Sequence, residues 1–255
     1  MKLTVLGCSG GIGRRNEHTT ALLLDDDILI DAGTGAGGLD LVQLTRIDHV
    51  FLTHSHLDHI AFLPLMLDAV GELRDKPVTV YATVETEEIL RTHIFNWKIW
   101  PDFSEIPSRE NPYVRFEKIE VGQAVSLCGR TITALPANHT VPAVGYLMDS
   151  GSASLAFSGD TGSCEALWDA LNRISNLRYL IVEAAFPNAD RQIALLSKHL
   201  YPDLLRTELR HLRHAPEIFI THRKPVHAGR IRDEFDQVDD TFRPRMLQTG
   251  QVFEF

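Results

Sequence analysis

His54-Ser55-His56-Leu57-Asp58-His59 stands directly behind an apolar, β-rich run at 49–53, so four groups able to hold a metal lie where a buried strand stops and the chain turns. Dense imidazoles with one carboxylate suit a borderline divalent ion such as zinc, which accepts neutral His nitrogen and carboxylate oxygen. The bland alternative is a solvated loop that is rich in histidine by chance; the strand-to-loop setting favours the metal. Six residues cannot close two metal sites alone, so a two-metal reading demands further ligands elsewhere.

Working outward, similar β-rich runs occupy 3–6, 21–24, 28–30, 78–82, 132–135, 155–157, 179–182 and 218–221. Helical spacing is found at 39–44, 85–95, 165–174 and 202–212. Strand and helix alternate, which predicts an α/β fold. With no repeat or linker, residues 1–255 are expected to form one domain, and the Pro-rich stretch 100–112 is expected to be irregular.

Five of the runs lead into a residue able to bind or move charge. The 49–53 run meets His54, and 132–135 leads to His139. The 155–157 run leads to Asp160, 179–182 ends at Glu183 and 218–221 ends at His222. Strand ends and their loops are where functional groups gather in α/β proteins, so these ends are expected to share a site. Singly each residue has an ordinary explanation, such as a packed imidazole or a turn at Ser158-Gly159-Asp160-Thr161-Gly162. Together they form a set.

Composition narrows the partners. A net charge of -9, from 34 acidic and 25 basic residues, disfavours a polynucleotide and favours a small substrate. Cys8, Cys128 and Cys164 are odd in number and far apart, which points away from disulfides and towards a reducing compartment. No apolar run approaches the roughly 20 residues of a spanning helix. Val5-Leu6-Gly7-Cys8 faintly matches a lipoprotein cleavage site but reads as a first strand, so the expected location is cytoplasmic.

Two other motifs compete. Gly33-Thr34-Gly35-Ala36-Gly37-Gly38 satisfies the dinucleotide-binding G-x-G-x-x-G pattern, but the next strand ends at Thr53-His54 instead of the acid that grips a ribose, so a turn and helix start are expected. Gly7-Cys8-Ser9-Gly10-Gly11 matches G-x-S-x-G, yet the stretch 11–16 does not read as the helix a nucleophile elbow requires. His18, His49, His93, His211, His214 and His227 have no convergent partners; His211 and His214 are expected on an exposed helix face.

The set His54, His56, Asp58, His59, His139, Asp160 and His222 resembles that of the metallo-β-lactamase superfamily, and the likeness extends over nearly the whole chain. The resemblance implies a four-layer αβ/βα sandwich with two divalent ions at one edge, zinc first and manganese or iron as alternatives. By position, His54, His56 and His139 would hold one ion, Asp58, His59 and His222 the other, and Asp160 would bridge. Asp31, in Ile30-Asp31-Ala32-Gly33, would support the site.

Within the superfamily the chain resembles class II cyclic-nucleotide phosphodiesterases and, more distantly, the tRNA 3'-processing ribonucleases of the ribonuclease Z type. The segments carrying this are His56-Leu57-Asp58-His59-Ile60, Phe95-Asn96-Trp97, Trp100-Pro101-Asp102-Phe103, Pro142-Ala143-Val144-Gly145-Tyr146, Glu183 and Ser197-Lys198-His199-Leu200. Phe62 and Tyr201 depart from the class II signature, which has a small residue and usually Thr there. The resemblance implies hydrolysis of a small phosphodiester by water activated between the ions, with Asp58 as ligand and catalytic group and with His199, oriented by Glu183, protonating the leaving group. Trp97, Trp100 and Phe103 are candidates to stack a base or to cover the core. A homodimer is compatible with the resemblance. The rivals are a ribonuclease Z-like RNA endonuclease, a redox or thioester enzyme on the same scaffold, and a dinucleotide-binding protein.

Overall fold

The computed structural model describes residues 1–13, 17–238 and 242–255; of the non-helical reading at 11–16, positions 14–16 lie outside the described residues. Two seven-stranded sheets face each other. The first runs, in spatial order, Val252–Glu254, Lys2–Gly7, Ala21–Leu24, Ile28–Ile30, His49–Phe51, Val78–Ala82 and Val114–Lys118. The second runs Arg245–Met246, Glu217–Thr221, Leu177–Glu183, Ser154–Phe157, Val144–Asp149, Arg130–Pro136 and Ala124–Leu127.

Strand alternation sorts side chains into layers. Leu22, Leu24, Ile28, Ile30 and Phe51 meet Tyr146, Met148, Leu155, Phe157 and Ile181 between the sheets. The intervening Leu23, Leu29 and Val50 face outward, under Leu44, Leu63, Met66, Leu67 and Leu90 from helices Leu41–Thr45, Leu63–Val70 and Val84–His93. On the other side Leu147, Ala156, Leu180, Val182 and Ile220 lie under Leu167, Trp168, Leu205, Leu209, Ile231 and Phe235 from helices Glu165–Leu171, Pro202–Leu209 and Ala228–Asp236. The result is the four-layer αβ/βα sandwich expected above.

Half of each sheet is parallel: from Ile28–Ile30 to Val114–Lys118 in the first, and from Ser154–Phe157 to Arg245–Met246 in the second. Their C-terminal ends therefore reach one edge of the sandwich, and Arg130–Pro136, two antiparallel steps from Ser154–Phe157, ends there too. The site residues are assembled at that edge. The stretch 100–112 contains no helix or strand, and no described helix is long and apolar enough to cross a membrane. The helix expected to carry His211 and His214 stops at Leu209; both histidines lie beyond it, where the Asn172 side-chain amide donates to the His211 carbonyl and His214 meets the Asn172 carbonyl.

One contact locks the sheets at the edge: the buried Tyr146 hydroxyl donates to the Leu52 carbonyl at 2.7 Å, two residues before His54. Tyr146→Phe keeps the ring and leaves that carbonyl unpaired, so urea unfolding is expected to show a loss of about 1–3 kcal/mol with unchanged m. Coincident midpoints would show that the carbonyl finds another donor.

Candidate metal centre

His56 starts a one-turn helix, Leu57–Ile60, which turns Asp58 and His59 back towards the strand end that carries His54. Gly33 allows this turn to sit close, because a Cβ there would lie 2.2 Å from the Asp58 carbonyl oxygen, and a Cβ at Gly35 would lie 2.7 Å from the Gly7 amide nitrogen. The glycine-rich stretch thus packs against the chain itself; it forms a short 3-10 turn, Thr34–Gly38, followed by the Asp40-capped helix, as the bland reading held. Ser9 is spent on the Arg223 carbonyl at 3.4 Å, and no base is paired with its hydroxyl among the described residues.

Four strand ends converge with this loop. His54, His56, His139 and Asp160 place one ligand atom each within 4.8 Å of one another; so do Asp58, His59 and His222, and so do Asp160, His199 and His222. Asp160 is central: its Oδ2 lies 3.3 Å from His59 Nε2 and 3.7 Å from His54 Nε2, and its Oδ1 lies 3.2 Å from His222 Nδ1. The structure brings His54, His139, Asp160 and His222 together with the 54–59 loop. His199 is also within ligand reach, which the sequence reading did not anticipate.

Hydrogen bonds set which ring nitrogens face inward. Asp31, wholly buried, accepts from the Thr53 amide at 2.8 Å, the Thr53 hydroxyl at 2.8 Å and His59 Nδ1 at 2.7 Å. Because the Thr53 hydroxyl donates to Asp31, it accepts from His54 Nδ1 at 3.0 Å. His139 Nδ1 donates to the Lys198 carbonyl at 3.1 Å, while Lys198 Nζ donates back to the His139 carbonyl at 2.9 Å. Each bond holds a proton on Nδ1 and turns Nε2 towards the cluster; burial depresses the His59 imidazole, but Asp160 and Asp31 outweigh it and raise it well above its ordinary value, so an ion at His59 Nε2 would displace a proton. Asp31, Lys198 and His222 all adopt positive φ, 57°, 51° and 57°, a conformation that persists for non-glycine residues where the surroundings enforce it. Thr53 had no signal in the sequence, and Lys198 stood there only within the Ser197-Lys198-His199-Leu200 segment, with no role of its own.

The electrostatics suit cation binding. Burial lowers the imidazoles of His54, His56, His139 and His222, the last two to about 4 and about 3, so they are neutral ligands at neutral pH. Burial pushes the Asp160 carboxyl up, but the surrounding His222, His59 and His54 outweigh it and hold it well below the usual range. Most telling, His54 Nε2, His59 Nε2, Asp160 Oδ1 and both ring nitrogens of His222 are buried without a hydrogen-bond partner among the described residues. Buried polar atoms are normally paired, so a cluster of orphans pointing at one spot fits a metal.

Beside the cluster, Glu183 Oε1 accepts from His199 Nδ1 at 2.7 Å and from the Thr161 amide at 2.8 Å, and its Oε2 accepts from the Leu200 amide at 3.3 Å. Burial depresses the His199 imidazole, yet the Glu183 charge and hydrogen bond more than offset this and raise it. The aromatics divide: Phe103 is buried against Phe95 and Tyr113, Trp100 packs on the same outer core, and Trp97 is exposed. Phe103 covers the core.

Thr53→Val keeps the side-chain shape but removes the hydroxyl that links Asp31 to His54. Competition with a chelator is expected to show about 10- to 100-fold weaker metal binding, restored in Thr53→Ser. Equal affinities for valine and wild type would show that His54 is oriented without the relay.

A family model described as "Beta-lactamase superfamily domain" matches residues 26–224, which contain all of the expected site residues. A "Probable 3',5'-cyclic-nucleotide phosphodiesterase" of Yersinia pestis is 30% identical over 213 residues, 76% of this chain and 60% of the relative. A "Ribonuclease Z" of Clostridium beijerinckii is 32% identical over 154 residues, 56% of this chain and 47% of the relative. The chain thus spans about half to three-fifths of these curated relatives. Among solved structures, unliganded yeast PDE1 matches with a TM-score of 0.77 at 17% identity over 98% of both chains. The metallo-beta-lactamase fold protein YhfI from Bacillus subtilis matches with 0.75 at 21% identity over 99% of this chain and 98% of that one. At these identities the structures speak for the fold, and with the family match they carry one conclusion: this chain belongs to the β-lactamase superfamily and has the metallo-β-lactamase fold.

Proposed function

We propose that this chain is a metal-dependent hydrolase that cleaves a small phosphodiester, such as a 3',5'-cyclic nucleotide, and that residues 1–255 act as one catalytic unit. The observation that carries the reading is the buried His199–Glu183 pair, 2.7 Å apart and beside a cluster able to hold two ions. A carboxylate-oriented imidazole serves a reaction whose leaving group needs a proton, and phosphodiester cleavage expels a basic alkoxide. The phosphodiesterase name of the Yersinia pestis relative supports the same substrate class.

His54, His56 and His139 would hold one divalent ion and Asp58, His59 and His222 the other, with Asp160 between them; neutral imidazoles favour zinc, with manganese or iron as alternatives. When bound, the ions would polarise the phosphoryl group and activate water. The chain's own residues do the rest. Asp31 and Thr53 orient His54 and His59, and the Lys198 carbonyl orients His139. Asp58, the more exposed carboxylate of the cluster, is both a ligand and a catalytic group at the open side. His199 holds the proton for the leaving oxygen on Nε2, because its Nδ1–H is committed to Glu183. The three free cysteines suit a reducing cytoplasm.

A ribonuclease Z-like activity is the second reading, favoured by relatives of that name. The test is elemental analysis with a hydrolysis panel of cyclic nucleotides, a nitrophenyl phosphodiester, an RNA 3' extension, a lactone and a β-lactam. About two transition-metal ions per chain and a preference for small phosphodiesters are expected. A metal-loaded protein that opens the lactone and leaves every phosphodiester intact would overturn the proposal, and preference for the RNA would select the second reading.

A further inference from the structure

The edge that carries the metal cluster continues sideways into a cleft of about 550 Å³, within the ~300–1,000 Å³ typical of small-ligand sites. One wall is the end of strand Val78–Ala82 and the start of the following helix, Thr83 and Val84; a second is Lys118 to Val121 after strand Val114–Lys118. The third is the 137–144 loop, which includes His139. These two strands lie next to His49–Phe51 and parallel to it, so their ends open on the same edge as His54. His139 is shared between cluster and cleft.

The lining has a definite chemistry. Val84, Val121 and Val141 make apolar surfaces, with the buried Ile119 behind them. Asn138 is pinned: its amide N–H donates to Thr161 Oγ1 at 2.9 Å, its Nδ2 donates to the Ser163 carbonyl at 2.9 Å, and its carbonyl accepts from the Gly162 amide at 2.9 Å. Its Oδ1 is left as an acceptor with no donor among the described residues. The one cation of the lining, Lys118, is ion-paired to Glu120, and Glu85 adds a second carboxylate. The cleft is therefore net negative, unlike the cationic grooves that track a phosphate backbone.

We propose that this cleft takes the uncharged organic group of the substrate, a nucleoside-sized ring system with an N–H donor for Asn138, and turns away any chain of further phosphates. The inference rests on the phosphodiesterase reading of the adjoining cluster. One phosphate sits at the cluster, its nucleoside lies between apolar walls, and a polyanionic extension meets Glu85 and Glu120. Thr140, exposed on the loop wall, and Val84, exposed on the wall opposite, are places where a larger side chain fills the cleft without entering the core.

Val84→Trp and Thr140→Trp, made in the metal-loaded protein, test it. The ratio of kcat/KM for the nucleotide to that for methyl 4-nitrophenyl phosphate, which has no nucleoside, is expected to fall at least about tenfold in both variants, chiefly through KM. Calorimetric binding of adenosine, which has no phosphate to reach the cluster, is expected to weaken by a similar factor. Unmoved ratios together with unchanged adenosine affinity in both variants would overturn the cleft assignment. If wild type cleaves no phosphodiester yet binds adenosine in a way that both tryptophans abolish, the functional reading fails and the cleft stands. In Glu85→Lys/Glu120→Lys, cleavage of a short oligonucleotide is expected to gain relative to the cyclic nucleotide; no gain would remove the exclusion of phosphates.

Discussion

Asp160→Asn is expected to lower the metal content from about two ions per chain to one or fewer and to abolish most hydrolysis, while leaving the metal-free fold intact. Among the described residues Asp160 alone reaches towards His54, His59 and His222 at once, with separations of 3.7, 3.3 and 3.2 Å. Asparagine keeps its volume but removes the charge that would balance two bound dications, so the loss should exceed the about 10- to 100-fold caused by outer partners such as Thr53. Stability gives an independent readout. Without a cation the Asp160 carboxylate is favoured by the imidazoles around it, and burial of His59 is outweighed by the charges of Asp160 and Asp31, which raise that imidazole well above its ordinary value; metal-free Asp160→Asn should therefore melt lower than metal-free wild type while still folding. Added metal stabilises whatever binds it, by about 4 kcal/mol at a thousandfold excess over Kd, and that rise in Tm should appear in wild type and shrink in the variant. Two ions in Asp160→Asn by elemental analysis, with an undiminished Tm rise, would remove Asp160 from the bridging position.

The sequence displayed the centre of the fold well and its margins poorly. Ala21–Leu24, Ile28–Ile30 and Val78–Ala82 were legible to the residue, because short apolar runs bounded by polar turns have little other use in a chain of this length. Val144–Asp149 was not, since both its faces are buried and no alternation marks it, and Gly145, pressed against the Phe157 carbonyl, weakens its strand character. Ala124–Leu127 is a half-exposed strand at a sheet edge, while Arg245–Met246 and Val252–Glu254 are too short to show a period; all three exist through pairing with distant partners. The helix Leu63–Val70 hid behind Pro64, tolerated in its first turn, where no amide partner is lost.

The site divides along the same line. Residues that hold charge announce themselves by type and by position at strand ends. Residues that aim them do not, because the Thr53 hydroxyl and the Lys198 carbonyl gain their meaning only when Asp31 and His139 arrive from 22 and 59 positions away. Backbone acceptors carry no signature in a sequence at all.

His199→Ala is expected to slow cleavage of a nucleotide phosphodiester by about 10²- to 10⁴-fold while sparing a nitrophenyl phosphodiester. The difference follows from the leaving groups: nitrophenolate departs without a proton, whereas a ribose alkoxide is strongly basic and needs one in its transition state. In the proposed role His199 would supply that proton: Glu183 fixes Nδ1–H, and the ring stands between His139 and His222, with centroids 4.9 and 5.2 Å away. Glu183→Gln can still accept one hydrogen bond but no longer carries the charge that sustains an imidazolium, so a milder version of the same selective loss is expected. The structure also puts His199 within ligand reach of Asp160 and His222, which makes metal content the deciding control. If His199→Ala loses an ion and both substrates slow together, His199 is a ligand and the proton must come from elsewhere. If both ions stay and only the nucleotide slows, the imidazole acts on the leaving oxygen, as proposed.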